Sequence, residues 1–206
     1  MEDGTVDLRR AVTPLRLIFW GALICLIDID LKIRIGGGPS KFDLLDDFVG
    51  MILITVGVFR LAALDRGPGY SGPMTFAKIV SSISMIKELL DHWSFETGEA
   101  WGFCCSLISF AELAAVLLFC RSMRVLCEWN GLGEAAQSWH TTFMLYVVLY
   151  ALPLGGLYLF SLIVKLSGKS YNVDVGVAAL LFLAVLFVPL IHFFVSTSRM
   201  KRAIEA

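Results

Sequence analysis

Long uncharged stretches dominate the pattern of hydrophobic and polar positions along this chain. Residues 141–164 and 175–198 contain no Asp, Glu, Lys or Arg. Each stretch is longer than the roughly 20 helical residues that cross the hydrocarbon core of a bilayer. Further apolar runs occupy residues 15–35, 42–63 and 100–120. Because a backbone inside lipid must satisfy its own hydrogen bonds, the pattern predicts an all-α, polytopic transmembrane helical bundle.

Residues 75–93 decide the number of spans. Their apolar positions recur at helical spacing, but Lys78, Lys87, Glu88 and Asp91 interrupt the stripe. This pattern fits either a helix on the membrane surface or a poor span inside a bundle. If the segment spans, both termini lie on one side, which holds eleven of the 17 lysines and arginines. If it lies flat, everything after it inverts, and the split is nine against eight. The positive-inside rule therefore favours about six spans, with both termini cytoplasmic, over five.

The composition agrees with a single integral membrane domain over residues 1–206, with the last spans near 141–164 and 175–195. The chain is 57% hydrophobic and 17% charged, with a mean hydropathy of +0.77, whereas soluble domains are about a quarter charged. The net charge of −1 predicts no nucleic-acid partner. The expected partners are the lipid bilayer and either other membrane subunits or further copies of the chain. We expect no cofactor, and the five cysteines fit small buried hydrophobes.

The first two predicted spans, within residues 15–63, form a hairpin that gathers five carboxylates around its GGGPS turn. These are Asp28, Asp30, Asp43, Asp46 and Asp47. Helical structure here would explain several of them. It would pair Asp28 with Lys32 and Asp30 with Arg34 at i,i+4 spacing, and Ser40 with Asp43 would form a capping box.

Asp47 is not explained so simply. Positions 43, 47, 50, 54 and 57 share one helical face and are Asp, Asp, Gly, Ile and Gly. Glycines in membrane helices mark close helix packing, so we expect this face to look into the bundle. On the first span, Gly21, Cys25 and Asp28 likewise share a face. Inward carboxylates at Asp28, Asp43 and Asp47 could hold a cation or accept a proton.

The stretch KFDLLDDFVGMILI and its flanks resemble a pattern in small bacterial polytopic membrane proteins whose function is uncharacterised. The likeness covers residues 26–61. The matching positions are Phe42, Asp43, Leu45, Asp47, Phe48, Gly50, Ile52, Leu53, Ile54 and Gly57. Asp46 stands where that pattern favours proline, and Met51 where it favours tyrosine. The resemblance implies a multi-pass protein of the bacterial cytoplasmic membrane and brings no activity with it.

Glu112 lies near the middle of the apolar run 100–120, where an ionised carboxylate without a partner is costly. It shares a helical face with Cys105 and Ser109. Two interpretations stay open: a structural glutamate that joins two helices, or a proton or cation relay. Pro153 and Pro189 interrupt the last two spans and are candidate hinges, although most transmembrane prolines are structural.

Three functions remain open on the sequence alone. Short loops and the lack of a catalytic motif favour a non-catalytic accessory or structural membrane component. The alternative is a small proton- or cation-coupled transporter or channel that uses Asp28, Asp43, Asp47 and Glu112. A third option is an intramembrane enzyme for lipid headgroups, with the outer acids as metal ligands. No catalytic residue can be named.

Overall fold

The computed structural model describes residues 9–26, 30–35, 38–43, 47–64, 67–92, 99–156 and 178–205. These residues form six helices and one two-stranded hairpin. In chain order they are α1 (Arg9–Leu26), β1 (Asp30–Ile35), β2 (Gly38–Asp43), α2 (Asp47–Ala62), α3 (Pro68–His92), α4 (Glu99–Trp129), α5 (Gly133–Tyr146) and α6 (Ala178–Glu205). The predicted helical bundle is confirmed.

The helices pack in chain order around a central space. Each helix from α1 to α5 contacts the helix that follows it in the chain. Between α5 and α6 the chain passes through residues 157–177, which are outside the described residues. The ring closes where α6 returns to α1. There the Phe19 and Phe194 rings meet edge to face, with centroids 4.7 Å apart.

The prediction that residues 15–35 form one continuous helix is wrong. Helix α1 ends at Leu26, and residues 30–35 form strand β1, paired antiparallel with β2 so that Asp30 lies opposite Asp43. The stretch DLKIRI alternates charged and apolar residues, which is the period of a strand and not of a helix. The helical pair of Asp30 with Arg34 and the capping box of Ser40 with Asp43 are therefore also wrong, because these residues lie in strands. Lys32 likewise lies in β1, and its predicted partner Asp28 is outside the described residues.

The contact of α1 with α2 is so close that glycine is required on both sides. A Cβ atom on Gly21 would lie 2.6 Å from the Gly50 carbonyl oxygen, and one on Gly57 would lie 2.8 Å from the Pro14 carbonyl oxygen. A Cβ on Gly50 would also clash with Cys25 Sγ. This confirms that the glycine face of α2 packs against the face of α1 that carries Gly21 and Cys25.

Helix α3 packs lengthwise between α2 and α4. Tyr70 donates its hydroxyl hydrogen bond to the Leu61 carbonyl at 2.8 Å, and Thr55 donates to the Ser81 carbonyl at 3.1 Å. These two contacts run in opposite directions along the two helices, so α2 and α3 are antiparallel. The segment predicted as a doubtful span is therefore a full member of the bundle.

Two further helix boundaries differ from the prediction. Helix α4 continues to Trp129, nine residues past the predicted end at 120, and α5 begins at Gly133 rather than near 141. A single π-turn, Val147–Ala151, follows α5, and the chain stays helical through residue 156. The π-turn directly precedes Pro153, which lacks an amide hydrogen and clashes with regular α-helical bonding in the preceding turn.

On α3, large apolar side chains lie outside and small hydroxyl side chains lie inside. On α3, the exposed fractions are 54% at Ile79 and 52% at Ile86, but only 7% at Ser81 and 1% at Ser84. The same holds for the other buried hydroxyls, which are Thr55, Ser122, Ser138, Thr142, Ser196 and Thr197. The apolar stripe that the sequence displays on α3 thus faces away from the bundle.

Over the residues whose side chains are described, no helix combines the length and the hydropathy needed to cross a membrane.

We predict that Gly21→Ala destabilises the protein. The new Cβ would push against the backbone of α2, and overpacking of this kind costs about 1–3 kcal/mol. The measurement is the thermal unfolding midpoint, which we expect to fall. Gly133→Ala is the matched control, because a Cβ there meets open space at the start of α5; equal losses in both variants would contradict the role of the glycine contact.

Candidate functional site

A cavity of about 330 Å³ lies inside the bundle and is lined by three carboxylates from three helices. Asp47 comes from α2, Glu88 from α3 and Glu112 from α4. The other walls are mostly aliphatic and aromatic side chains. The bundle therefore brings together acids that are far apart in the sequence, in surroundings of low polarity.

Because α2 and α3 are antiparallel, a contact between them shows where along the bundle axis each carboxylate lies. From the Thr55–Ser81 contact, about two turns along each helix lead to Asp47 on α2 and to Glu88 on α3. These two acids therefore lie at the same end of the cavity, which we call the acidic end.

Glu112 lies deeper. A Cβ on Gly69 would lie 3.9 Å from Val125 Cγ1, so these positions of α3 and α4 are neighbours. Counting the same number of residues along each antiparallel helix places Glu112 level with the turn that carries Ser81 and Ser84.

The acidic end is built from closely spaced groups. Asp47 Oδ1 is fully buried. Cys25 Sγ on α1 donates a weak hydrogen bond to the Asp47 carbonyl oxygen at 3.7 Å, and both Asp47 and Glu88 act electrostatically on this sulfur. Lys87 Nζ lies 2.8 Å from Glu88 Oε1. Among the described residues no Lys, Arg or His lines the cavity itself, so the lining is negative when all three acids are ionised.

The middle of the cavity carries hydroxyl groups. Ser81 and Ser84 line it from α3, and Tyr146 lines it from α5. Ser81 Oγ donates to the Lys78 carbonyl at 3.0 Å. Ser84 Oγ is fully buried and has no hydrogen-bond partner among the residues that the structure describes. A buried hydroxyl without a partner costs about 1–3 kcal/mol, so Ser84 has a donor and an acceptor available to an occupant.

The far end of the cavity is apolar. Ile18, Val58, Phe119 and Phe193 line it, and each is at most 5–6% exposed. The Phe119 and Phe193 ring centroids are 6.0 Å apart. Trp139, fully buried, packs edge to face on both rings at 5.8 and 5.5 Å. The cavity therefore changes from acidic to aromatic along its length.

The structure brings together two of the four predicted functional carboxylates. Asp47 and Glu112 share the cavity. Asp43 is the last residue of β2 and does not stand on the α2 face that was predicted for it, because α2 begins only at Asp47. Asp28 and Asp46 lie outside the described residues.

Three polar cavity residues of α3 were not predicted as site residues, namely Ser81, Ser84 and Glu88. Their spacing, together with Ala77, follows one helical face of α3, so the signal was present as a row of small and polar residues. The apolar stripe on the opposite face obscured it. Ser109, predicted as a local partner of Glu112, is exposed.

Pro189 and Pro153 remain candidate hinges. Helix α6 continues without interruption through Pro189, which is buried. Beside it, a hydrogen-bonded cluster joins α5 to α6. Thr142 Oγ1 lies 2.8 Å from both His192 Nδ1 and Ser196 Oγ, and Ser196 Oγ lies 2.7 Å from Ser138 Oγ. This cluster ties His192 into the helix contact.

A second, more open cavity of about 840 Å³ lies beyond the aromatic end of the first. Arg199 and Arg202 of α6 line it, opposite Glu134 and Thr141 of α5. It shares no residue with the carboxylate cavity. Arg199 and Arg202 are therefore separated from the three carboxylates of the first cavity.

The described residues contain neither a disulfide nor a cluster suited to a metal ion. All cysteines of the chain are free thiols. Burial, and to a smaller extent the charge of Glu128, raises the pKa of Cys127 to about 12, which disfavours the nucleophilic thiolate. Within the described part of the chain, no three His, Cys, Asp or Glu side chains are grouped so that they could hold a metal ion.

Comparison of this chain with known protein families, with curated proteins and with solved structures found no match.

We predict that Thr142→Val destabilises the bundle. The substitution removes bonds to His192, Ser196 and the Ser138 carbonyl from a fully buried position, at a cost of about 1–3 kcal/mol. For a chain of this length each kcal/mol lowers the unfolding midpoint by about 2–4 °C. Its neighbour Thr141, which bonds only to the Gln137 carbonyl on its own helix, provides the control Thr141→Val. A midpoint for Thr142→Val equal to that of the control would show that the cluster contributes no stability.

Proposed function

We propose that this chain is an integral membrane protein whose bundle holds a proton or a cation at the cavity lined by Asp47, Glu88 and Glu112. In this proposal it belongs to the class of small proton- or cation-coupled transporters or channels. The observation that carries the proposal is the meeting of carboxylates from α2, α3 and α4 in one largely apolar cavity. Ionisable groups in such surroundings are costly to maintain and are typical of ion and proton pathways.

The membrane location is supported by the distribution of side chains. Helices in lipid place small and hydroxyl residues at their contacts, because the hydrophobic effect does not drive one helix against another there. The exposed isoleucines and buried serines of α3 follow this distribution. The uncharged stretch 178–198 within α6 adds sequence support.

The charge distribution supports an orientation. We propose the bacterial cytoplasmic membrane, with both termini cytoplasmic, following the positive-inside rule. Arg199 and Arg202 would then face the cytoplasm, and the acidic end of the cavity would face the opposite side. The resemblance of residues 26–61 to bacterial polytopic proteins agrees with this proposal.

Flux across liposomes tests the transport proposal. The protein is reconstituted, a Na⁺ or K⁺ gradient is imposed, and proton movement is followed with a pH-sensitive dye. We expect Asp47→Asn and Glu112→Gln each to lower the protein-dependent rate at least about tenfold, which corresponds to roughly 1.4 kcal/mol in the barrier. The physical reason is that neither amide can bind or release the proton or balance the cation.

Glu134→Gln is the control for this measurement, because Glu134 is an exposed acid at the start of α5 and does not line the carboxylate cavity. Its rate should equal that of the unmodified protein. Unchanged rates in both cavity variants, with their unfolding midpoints preserved, would reject the proposed function.

A non-catalytic accessory component is the second candidate. It is favoured by apolar side chains that stay exposed on α3 and α6, among them Ile83 and Ile191 at 44% and 59%. A partner subunit would cover such side chains as well as lipid does. Co-purification of a fixed partner in constant ratio, together with flux that is insensitive to the cavity variants, would favour this candidate.

A further inference from the structure

We propose that the carboxylate cavity binds a monovalent organic cation with an apolar body, held with its charged head between the acidic end and Glu112 and its body against Phe119 and Phe193. This inference rests on the proposed function, since it names the class of cation that the same cavity takes. The cavity is acidic at one end and apolar at the other, and this change along its length supports the inference.

The charged head is specified by the three carboxylates. Asp47 and Glu88 come from different helices at one end, and Glu112 lies deeper at the level of Ser81 and Ser84. Ionised carboxylates inside a low-polarity cavity are stabilised by a bound cation, because the attraction between charges is less screened there than in water. No Lys, Arg or His stands among the described residues that line the cavity.

The apolar body is specified by the opposite end. Phe119 and Phe193 expose their rings to the cavity together with Ile18 and Val58, and no charged side chain lines this end. A hydrated inorganic ion gains nothing from such walls, whereas an alkyl or aryl group gains about 25 cal/mol for each Å² removed from water. An aryl group also packs favourably against aromatic rings in offset or edge-to-face contact.

The size of the cavity agrees with a small ligand. Its volume of about 330 Å³ is at the lower end of the range of small-molecule sites, about 300–1,000 Å³. A single substituted ammonium ion with one ring or a short chain fits this range.

Ser84 is the independent observation that points to an occupant. It is 1% exposed, it lines the cavity, and its hydroxyl oxygen has no hydrogen-bond partner in the described part of the chain. Buried hydroxyls are nearly always hydrogen-bonded in folded proteins. A bound ligand at the level of Glu112, or the water that accompanies it, would supply the bond.

Binding of benzyltrimethylammonium to the purified protein, measured by isothermal titration calorimetry, tests the inference. Two related probes separate the contributions of body and charge. Tetramethylammonium keeps the charge and lacks the ring, and neopentylbenzene keeps the shape and lacks the charge. We expect tetramethylammonium to bind at least about tenfold more weakly, a difference of 1.4 kcal/mol, and neopentylbenzene not to displace benzyltrimethylammonium.

Variants locate the binding in the cavity. Glu112→Gln should weaken benzyltrimethylammonium at least about tenfold, and Phe119→Leu, which keeps an apolar wall but removes the ring, should weaken it severalfold. Glu134→Gln should leave the affinity unchanged. Variants are compared only where the thermal midpoint matches that of the unmodified protein, and Asp47→Asn serves as a second acidic variant if Glu112→Gln fails to fold.

The outcomes separate this inference from the proposed function. Flux that depends on Asp47 and Glu112, together with no binding of benzyltrimethylammonium or with equal binding of tetramethylammonium, overturns the inference and retains the proposed function. Binding that depends on Glu112, together with no flux, supports the inference and overturns coupled transport. No flux and no binding reject both.

Discussion

The close contact of α1 with α2 is the constraint on which the rest of the structure depends. Without side chains at Gly21 and Gly50, the two backbones approach until a Cβ on either residue would overlap the other helix. This contact fixes the rotation of α2 about its axis. Asp47 lies one turn before Gly50 and is therefore turned inward, beside Cys25 and away from the outer surface. Moving the helices apart would open the cavity wall at its acidic end.

The distribution of side chains on α3 follows from the same kind of packing. Small residues permit close approach of the helices, and their hydroxyls bond across or along helices, as Thr55 does to Ser81 and Thr142 does to Ser196. Several large apolar residues of α3, among them Ile79 and Ile86, lie on the outer surface. What remains between the helices is a narrow space with few polar groups. The carboxylates that line this space are its charged groups, so they dominate the chemistry of the cavity.

The candidate site could be predicted in part. Asp47 and Glu112 stand out in the sequence because each interrupts or borders an apolar run, and both line the cavity. Glu88 and Ser84 do not stand out, because in the sequence they look like interruptions of an apolar stripe. Only the packing of α3 between α2 and α4 decides that the stripe faces outward and that the interruptions face inward.

The sequence by itself determined that the chain is a bundle of helices, where most of them lie, and which face of α2 is closely packed, because apolar period and glycine spacing are local properties. It also contained the strand alternation of residues 30–35, although the neighbouring apolar run concealed it. The tertiary structure decided the register of the helices against one another. That register depends on contacts such as Gly21 with Gly50 and Gly69 with Val125. These contacts join residues far apart in the chain, and they alone bring Asp47, Glu88 and Glu112 into one cavity.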